Sequence, residues 1–255
     1  MGLSRAARIR LFNIFLSDFY YPRTTVVQGQ KMLSGPATEF LLGAWTEFCM
    51  GRLDQYPGSD KFVFQIIGTW LESGHWHLML DIWEELFEHR DLLPHPEKTA
   101  CAVREAMERE NTAYTFVGGR FVERMTPQEV KSVETALKTP IEGVKVHLTD
   151  ALQKLSDREN PDFRNSIKES IIAVEAACKH LAGSRKGDLN VALDKLNAQR
   201  PLHPALKNAF STLYGWTSDD RGIRHAIKDA ENVERADAQF MLVACSAFVN
   251  YLMTR

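Results

Sequence analysis

The chain has 255 residues, of which 44% are hydrophobic and 25% charged, and its formal net charge is −2. This composition is enough to bury a full hydrophobic core, so it excludes disorder as the default state. The near-neutral charge excludes a global attraction to nucleic acid or anionic lipid, so any such contact requires a local basic patch.

The N-terminal segment predicts a first helix and no export signal. It is basic, but its apolar stretch at residues 11–19 is interrupted by Asn13, Ser17 and Asp18 and leads to no small-residue cleavage site. The cysteines lie far apart without a Cys-x-x-Cys pair, which argues against zinc and redox motifs and favours a reducing, cytoplasmic location. We expect unreactive core thiols at Cys49, Cys101, Cys178 and Cys245.

Helical spacing of apolar residues dominates the first part of the chain. It runs from residue 4 to about 48 and again from 61 to 90, with a turn at 56–60 between the two stretches. Large side chains concentrated at residues 66–87 predict a core there. A proline-containing segment at 93–96 is predicted to end this helical stretch.

The pattern changes to a β pattern between residues 112 and 124. Two β-prone runs, 113–117 and 120–123, flank Gly118-Gly119 and predict a hairpin, the one hairpin expected in the chain. The next residues, 126–129, read Thr-Pro-Gln-Glu, which predicts a capped helix start for 130–137.

The rest of the chain predicts a helical bundle. Polar loops at 183–188 and 214–220 separate the helical stretches. The predicted helices span 144–155, 162–181, 204–214, 221–228 and 236–253. The apolar run at 238–253 contains polar residues and is shorter than the roughly 20 residues that cross a bilayer, so it predicts a buried central helix and no membrane contact.

The predicted fold class is therefore mainly α, with a helical N-terminal region, one small β-hairpin and a C-terminal helical bundle. We divide the chain into a helical domain of unknown role at 1–110, the hairpin and its connecting helix at 111–139, and the bundle at 140–255.

The junction at residues 218–225 carries the highest density of chemically useful groups. It combines His225, Arg221 and Arg224 with Ser218 and Asp219 at a predicted helix start, and such a set can hold and polarise a phosphate. The alternative is a capped helix start whose arginines pair with neighbouring aspartates.

Polar residues of the 162–181 helix form a second candidate surface. Arg164, Asn165 and Lys168 lie off its apolar stripe and could line a cleft opposite the junction, binding RNA or a nucleotide. The alternative is a solvated helix face with ion pairs one turn apart.

Metal and nucleotide-loop motifs are weak or missing. Glu85 and His89 lie four residues apart, but His75 and His77 are two apart, point to different helix faces and leave no third ligand in place. We expect no metal and no cofactor, and we keep a metal hydrolase at His75, His77 and His89 as a third alternative. The sequence contains no Gly-Lys-Ser/Thr or Gly-x-Ser-x-Gly motif, which disfavours kinases, NTPases and α/β-hydrolases.

Most of residues 140–255 resembles the abortive-infection AbiJ N-terminal-domain proteins, as does the hairpin at 116–122. The stretches that carry the resemblance are DFRNSIKES at 162–170, AVEA at 173–176, HPALK at 203–207, AF at 209–210, LYGWTSD at 213–219, GIRHA at 222–226 and AQFMLVACSAFVNY at 238–251.

The resemblance implies that the C-terminal part is a HEPN-like helical domain, of the superfamily found in phage defence, toxin–antitoxin systems and RNA processing. Active members are dimeric, metal-independent ribonucleases in which the RNA 2′-hydroxyl attacks its own phosphate. A homodimer through the C-terminal bundle is thus expected. So is a composite cleft lined by a His and an Arg from each protomer.

The sequence departs from the HEPN nuclease motif, in which four to six residues separate an Arg from the following His. Arg221 precedes His225 by three intervening residues, and Arg224 is adjacent to it. The first hypothesis is a bacterial defence or toxin-related protein that binds RNA or a nucleotide and cleaves RNA through His225, with Arg224 or Arg221 stabilising the transition state. The alternative is a non-catalytic module that senses a ligand or binds a partner toxin or antitoxin.

Overall fold

The computed structural model describes residues 2–27, 30–33, 35–47, 68, 76–184, 187–218 and 233–254. The chain folds as two compact units, Met1–Arg124 and Met125–Arg255. The mainly α class with a small hairpin is confirmed. The division places the hairpin in the first unit and the connecting helix in the second.

The first helix of unit 1 begins where the sequence predicts. Helix α1 spans Arg5–Phe15, and the Ser4 hydroxyl accepts a hydrogen bond from the Ala7 N–H at its start. It continues through a π-helical turn, Leu16–Tyr20, and a last turn, Tyr21–Arg23.

A β-ribbon then interrupts the helix predicted for residues 4–48. Strands β1 (Thr24–Val27) and β2 (Gln30–Leu33) pair antiparallel, so the structure holds a second hairpin beyond the one predicted. The physical reason is local, because β1 is a run of β-branched residues whose stiff side chains favour extended backbone over helix.

The described residues of unit 1 contain three further α-helices. They are α2 (Pro36–Glu47), α3 (Trp76–Glu88) and α4 (Pro96–Arg109). Helix α4 was not predicted, because the proline-containing segment at 93–96 was interpreted only as the end of a helical stretch. Pro96 is its first residue, where the missing N–H costs nothing.

Aromatic rings from α1, α3 and the hairpin at 114–123 form the core of unit 1. The rings of Phe15 and Trp83 meet edge to face with centroids 5.9 Å apart, and those of Phe87 and Phe116 with centroids 4.8 Å apart. The expected core at 66–87 is confirmed for the part in α3, although it is built jointly with other elements. Residues 66, 67 and 69–75 lie outside the described part of the chain.

The predicted hairpin is confirmed. Strands β3 (Tyr114–Val117) and β4 (Arg120–Glu123) pair with Phe116 opposite Phe121. A buried carboxylate ties the hairpin to α3, since Glu84 accepts the Phe121 N–H at 2.7 Å. The turn residue Gly119 has a φ of +90°, and a Cβ built there would lie 3.2 Å from Cβ of Phe87.

Unit 2 is a bundle of helices. Its elements are α5 (Pro127–Leu137), α6 (Glu142–Ser156), α7 (Phe163–Leu181), α8 (Leu189–Gln199), α9 (Pro204–Ser218) and α10 (Arg235–Met253). The predicted capping box of α5 is present. Helix α8, capped by Asp188, was not predicted, and the predicted helix at 221–228 lies outside the described residues.

Helix α7 is the centre of this bundle and contacts α6, α8 and α10. Its predicted apolar stripe is buried from Ile167 to Cys178. A second buried strip of small residues, Ser166, Ser170, Ala173 and Ala177, extends around the helix. On the side facing α6, Ser166 Oγ donates to the Ala151 carbonyl at 2.7 Å. Small side chains let α6 and α7 approach closely.

Helix α10 covers the stretch at 238–253 that was expected to be a buried central helix, and the structure buries one side of it while Phe240 and Tyr251 stay exposed. Within the described ranges it alone is long and apolar enough to cross a membrane by length and composition. Its buried residues include Leu242, Cys245 and Val249, and it packs on α5, α6 and α7.

Replacing either of two glycines of unit 1 by alanine is expected to change the stability, with opposite signs at the two positions. We expect Gly119→Ala to lower the free energy of unfolding by about 1–3 kcal/mol, because the residue has a positive φ and its Cβ would crowd Phe87. We expect the control Gly43→Ala, in α2 with no atom within 4 Å of the added Cβ, to raise it by about 0.5–1 kcal/mol. Urea unfolding followed by tryptophan fluorescence measures both, and an unchanged midpoint for Gly119→Ala would contradict the packing described for the turn.

Candidate functional site

The start of α7 carries three of the residues predicted to bind RNA or a nucleotide, Arg164, Asn165 and Lys168. The Asp162 side chain caps the helix by accepting the Asn165 N–H at 3.0 Å, and it also accepts a side-chain hydrogen bond from Asn165 Nδ2 at 2.6 Å. Asn165 is thereby committed to the cap, and the carboxylate occupies the place where an anion would meet the helix N-terminus.

Arg164 and Lys168 lie one turn apart near the start of α7. Within the part of the chain that the structure describes, neither makes an ion pair. Lys168 is exposed and lies off the apolar stripe, as predicted. Arg164 is half-buried and lies at the edge of the stripe, seven residues before the buried Ile171, which corrects the prediction for that residue. Lys179 lies on the same side but is bound to Glu175 at 2.6 Å.

The residues assigned to catalysis lie outside the described part of the chain. This applies to Arg221, Arg224 and His225, and to the predicted binding residue Asp219. Ser218 is the last residue of α9, and only its backbone is described.

The chain that follows these residues returns to the start of α7. Arg235, the first residue of α10, donates from Nη1 to the Leu155 carbonyl at 3.1 Å. Its guanidinium carbon also lies 5.1 Å from the centroid of the Phe163 ring, a cation–π contact with the first residue of α7. Arg235 therefore fixes the beginning of α10 beside the beginning of α7 and the end of α6.

A histidine–carboxylate pair that the sequence did not indicate bridges α6 and α7. His147 Nδ1 lies 2.7 Å from Glu169 Oε2, and the two side chains are 30% and 15% exposed. The partners are 22 residues apart, so no local motif joins them. A helical wheel could have pointed to the pair, because both positions flank the buried stripes of two helices that follow each other in the predicted bundle.

The metal site considered at His75, His77 and His89 receives no support from the described residues. His89 pairs with Glu85 at 3.3 Å, His77 is exposed, and His75 lies outside the described residues. No group of three potential metal ligands occurs in the described ranges. A cavity of about 240 Å³ nearby is lined by Glu39, Glu85, His89 and Asp91 together with apolar residues.

Two of the predicted core thiols are confirmed as buried. Burial raises the pKa of both Cys178 and Cys245 to about 12, and the charge of Glu175 adds to the rise at Cys178. Such thiols carry almost no thiolate at neutral pH and are poor nucleophiles. Cys101 is exposed, which corrects the expectation for that residue, and Cys49 lies outside the described residues.

No family model, curated protein or solved structure matches this chain.

Proposed function

We propose that the protein is a HEPN-type phage-defence or toxin-related protein of the bacterial cytoplasm. In this proposal, RNA or a nucleotide binds at the end of unit 2 where α7 and α10 begin. The observation that carries the proposal is the anchoring of Arg235 to Leu155 and Phe163. This contact holds Arg235, ten residues after His225 in the sequence, at the end of the bundle where Arg164 lies.

The cations at this end suit a phosphate backbone. Arg164 and Lys168 have no ion-pair partner among the described residues, so they can bind phosphates without first breaking an ion pair with a carboxylate. Phosphate contacts of this kind position a nucleic acid without reading its sequence, and their contribution falls as salt rises. The near-neutral total charge agrees with a small patch of this kind.

The proposed chemistry is cleavage of RNA without a metal ion. The 2′-oxygen attacks the adjacent phosphorus, and the bond to the 5′-oxygen breaks. His225 acts as general acid or base, and Arg224 or Arg221 stabilises the extra negative charge on the phosphorane-like transition state. Each such proton-transfer group contributes about 10²–10⁴-fold in rate.

A second copy of the chain is the proposed partner of unit 2. Helix α10 exposes a stripe of uncharged residues at four-, three-, four- and four-residue spacing, namely Ala236, Phe240, Val243, Ala247 and Tyr251. Phe240 is 58% exposed, which is costly for a lone phenyl ring in water. Two such stripes can pack together about a twofold axis.

Cleavage is tested by incubating the purified protein with chelator and a mixture of tRNA and single-stranded RNA. We expect wild type to cleave and His225→Ala to lose at least about 100-fold in rate, with unchanged thermal stability. The matched control is His180→Ala, an exposed histidine at the far end of α7, which should cleave as wild type does. Full activity of His225→Ala would remove that residue from the mechanism.

The dimer is tested by sedimentation of wild type and Phe240→Glu at micromolar concentration. A charge within the stripe should convert the dimer to a monomer, because a carboxylate would be buried in an apolar contact without a partner. Val191→Glu is the control, since Val191 is an exposed apolar residue on α8, away from the stripe. A monomeric wild type would contradict the proposed interface.

The non-catalytic module remains the second candidate. The observation that favours it is the short Arg-to-His spacing, which leaves the nuclease motif incomplete. RNA binding without cleavage by wild type would support this candidate. A nuclease gene beside this one in the genome would support it as well.

A further inference from the structure

Two helical segments of unit 1, α1 with its π-helical continuation and α4, are joined by polar contacts at both ends. At one end Arg10 Nε donates to Glu110 Oε1, and at the other Thr99 Oγ1 donates to Asp18 Oδ2 at 2.8 Å. The earlier residue of one segment pairs with the later residue of the other, so the two segments run antiparallel. The two contacts therefore set the spacing between the segments at both ends.

A groove with a volume of about 330 Å³ lies between these two contacts. Its apolar part is formed by Ile14 of α1 and by Ala102 and Ala106, which lie one turn apart on α4. Alanine side chains are short, so they leave space between the helices that larger side chains would fill. Sites for small molecules have volumes of about 300–1,000 Å³, so the groove is large enough for a ligand at the small end of that range.

The groove also contains one acid and one base that do not pair with each other. Glu105 and Arg109 have the four-residue spacing, acid first, that favours an ion pair on a helix. Glu175 and Lys179 have the same spacing on α7 and do pair, at 2.6 Å. Glu105 instead accepts a weak hydrogen bond from Cys101 Sγ at 3.5 Å, and the Arg109 side chain has no polar partner among the described residues. Both charges are therefore available to a ligand.

The other polar groups of the groove leave it without a net charge. Arg10 lines the groove, but its charge is balanced by the carboxylate of Glu110. Asn13 is exposed, and its uncharged amide can both donate and accept a hydrogen bond. The charges of Glu105 and Arg109 cancel but stand at different positions. A ligand with one positive and one negative group matches this arrangement better than a simple anion or cation does.

We propose that this groove binds an apolar α-amino acid. The ammonium group of the ligand binds the Glu105 carboxylate, and its carboxylate binds the Arg109 guanidinium, each through charge-assisted hydrogen bonds. The apolar side chain of the ligand packs on Ile14, Ala102 and Ala106. Unit 1 alone forms the groove, so this inference is independent of the function proposed for unit 2.

The competing explanation is that the groove holds only solvent and that Glu105 and Arg109 are ordinary surface charges. Fragments of leucine separate the two explanations. Isopentylamine keeps the apolar group and the ammonium but lacks the carboxylate, and isocaproate keeps the apolar group and the carboxylate but lacks the ammonium. Only a site that holds both charged groups prefers leucine to each fragment.

The experiment is isothermal titration calorimetry of the full chain with L-leucine, isopentylamine and isocaproate. We expect L-leucine to bind wild type, and each fragment to bind at least about tenfold more weakly, because one charge-assisted contact is lost. Glu105→Gln and Arg109→Gln should weaken L-leucine binding by a similar factor. Glu108→Gln is the matched control, since Glu108 is an exposed acid of α4 that does not line the groove, and it should bind as wild type does.

A second variant tests whether the apolar part of the groove is the binding surface. Ala102→Leu places a larger side chain in the groove and should abolish L-leucine binding while the melting temperature stays within a few degrees of wild type. Absence of L-leucine binding to wild type at millimolar concentration would overturn the inference. So would equal affinity for L-leucine and either fragment, or unchanged binding in Ala102→Leu. None of these results bears on cleavage of RNA, which is measured separately.

Discussion

The close contact between α6 and α7 is the constraint on which unit 2 depends. It is made by small side chains and by the buried hydrogen bond from Ser166 Oγ to the Ala151 carbonyl. A hydroxyl buried there without its acceptor would cost about 1–3 kcal/mol, so the partner fixes how far the two helices can slide. A Cβ added at Gly143 in α6 would lie 3.4 Å from the Cβ of Ala176 in α7, so the two helices are also close at the other end of their contact.

The positions of the candidate site residues follow from that contact. Because α7 is buried on the sides that meet α6, α8 and α10, its charged residues are confined to one open arc. His147 and Glu169 meet only because α6 lies alongside this arc, and Arg235 reaches both Leu155 and Phe163 only because the end of α6 and the start of α7 are held together. The candidate site is therefore a product of helix packing more than of any continuous motif.

The sequence predicts those parts of the fold that local patterns encode. The apolar spacing of α7, the Gly-Gly turn of β3–β4 and the capping box of α5 each lie within a few neighbouring residues. Helices α4 and α8 were missed because each follows a stretch rich in Pro, Gly or charge, and β1–β2 because its short run was embedded in helical spacing. The pair of His147 and Glu169 could not be predicted, since only the tertiary fold joins residues 22 apart.

Hydrogen exchange of the full chain with single-stranded RNA, in chelator, tests most directly whether the end of unit 2 is the binding surface. The account predicts slower exchange in peptides covering 162–172 and the residues around His225, with little change in α2 of unit 1. Protection confined to unit 1, or none at saturating RNA, would contradict it.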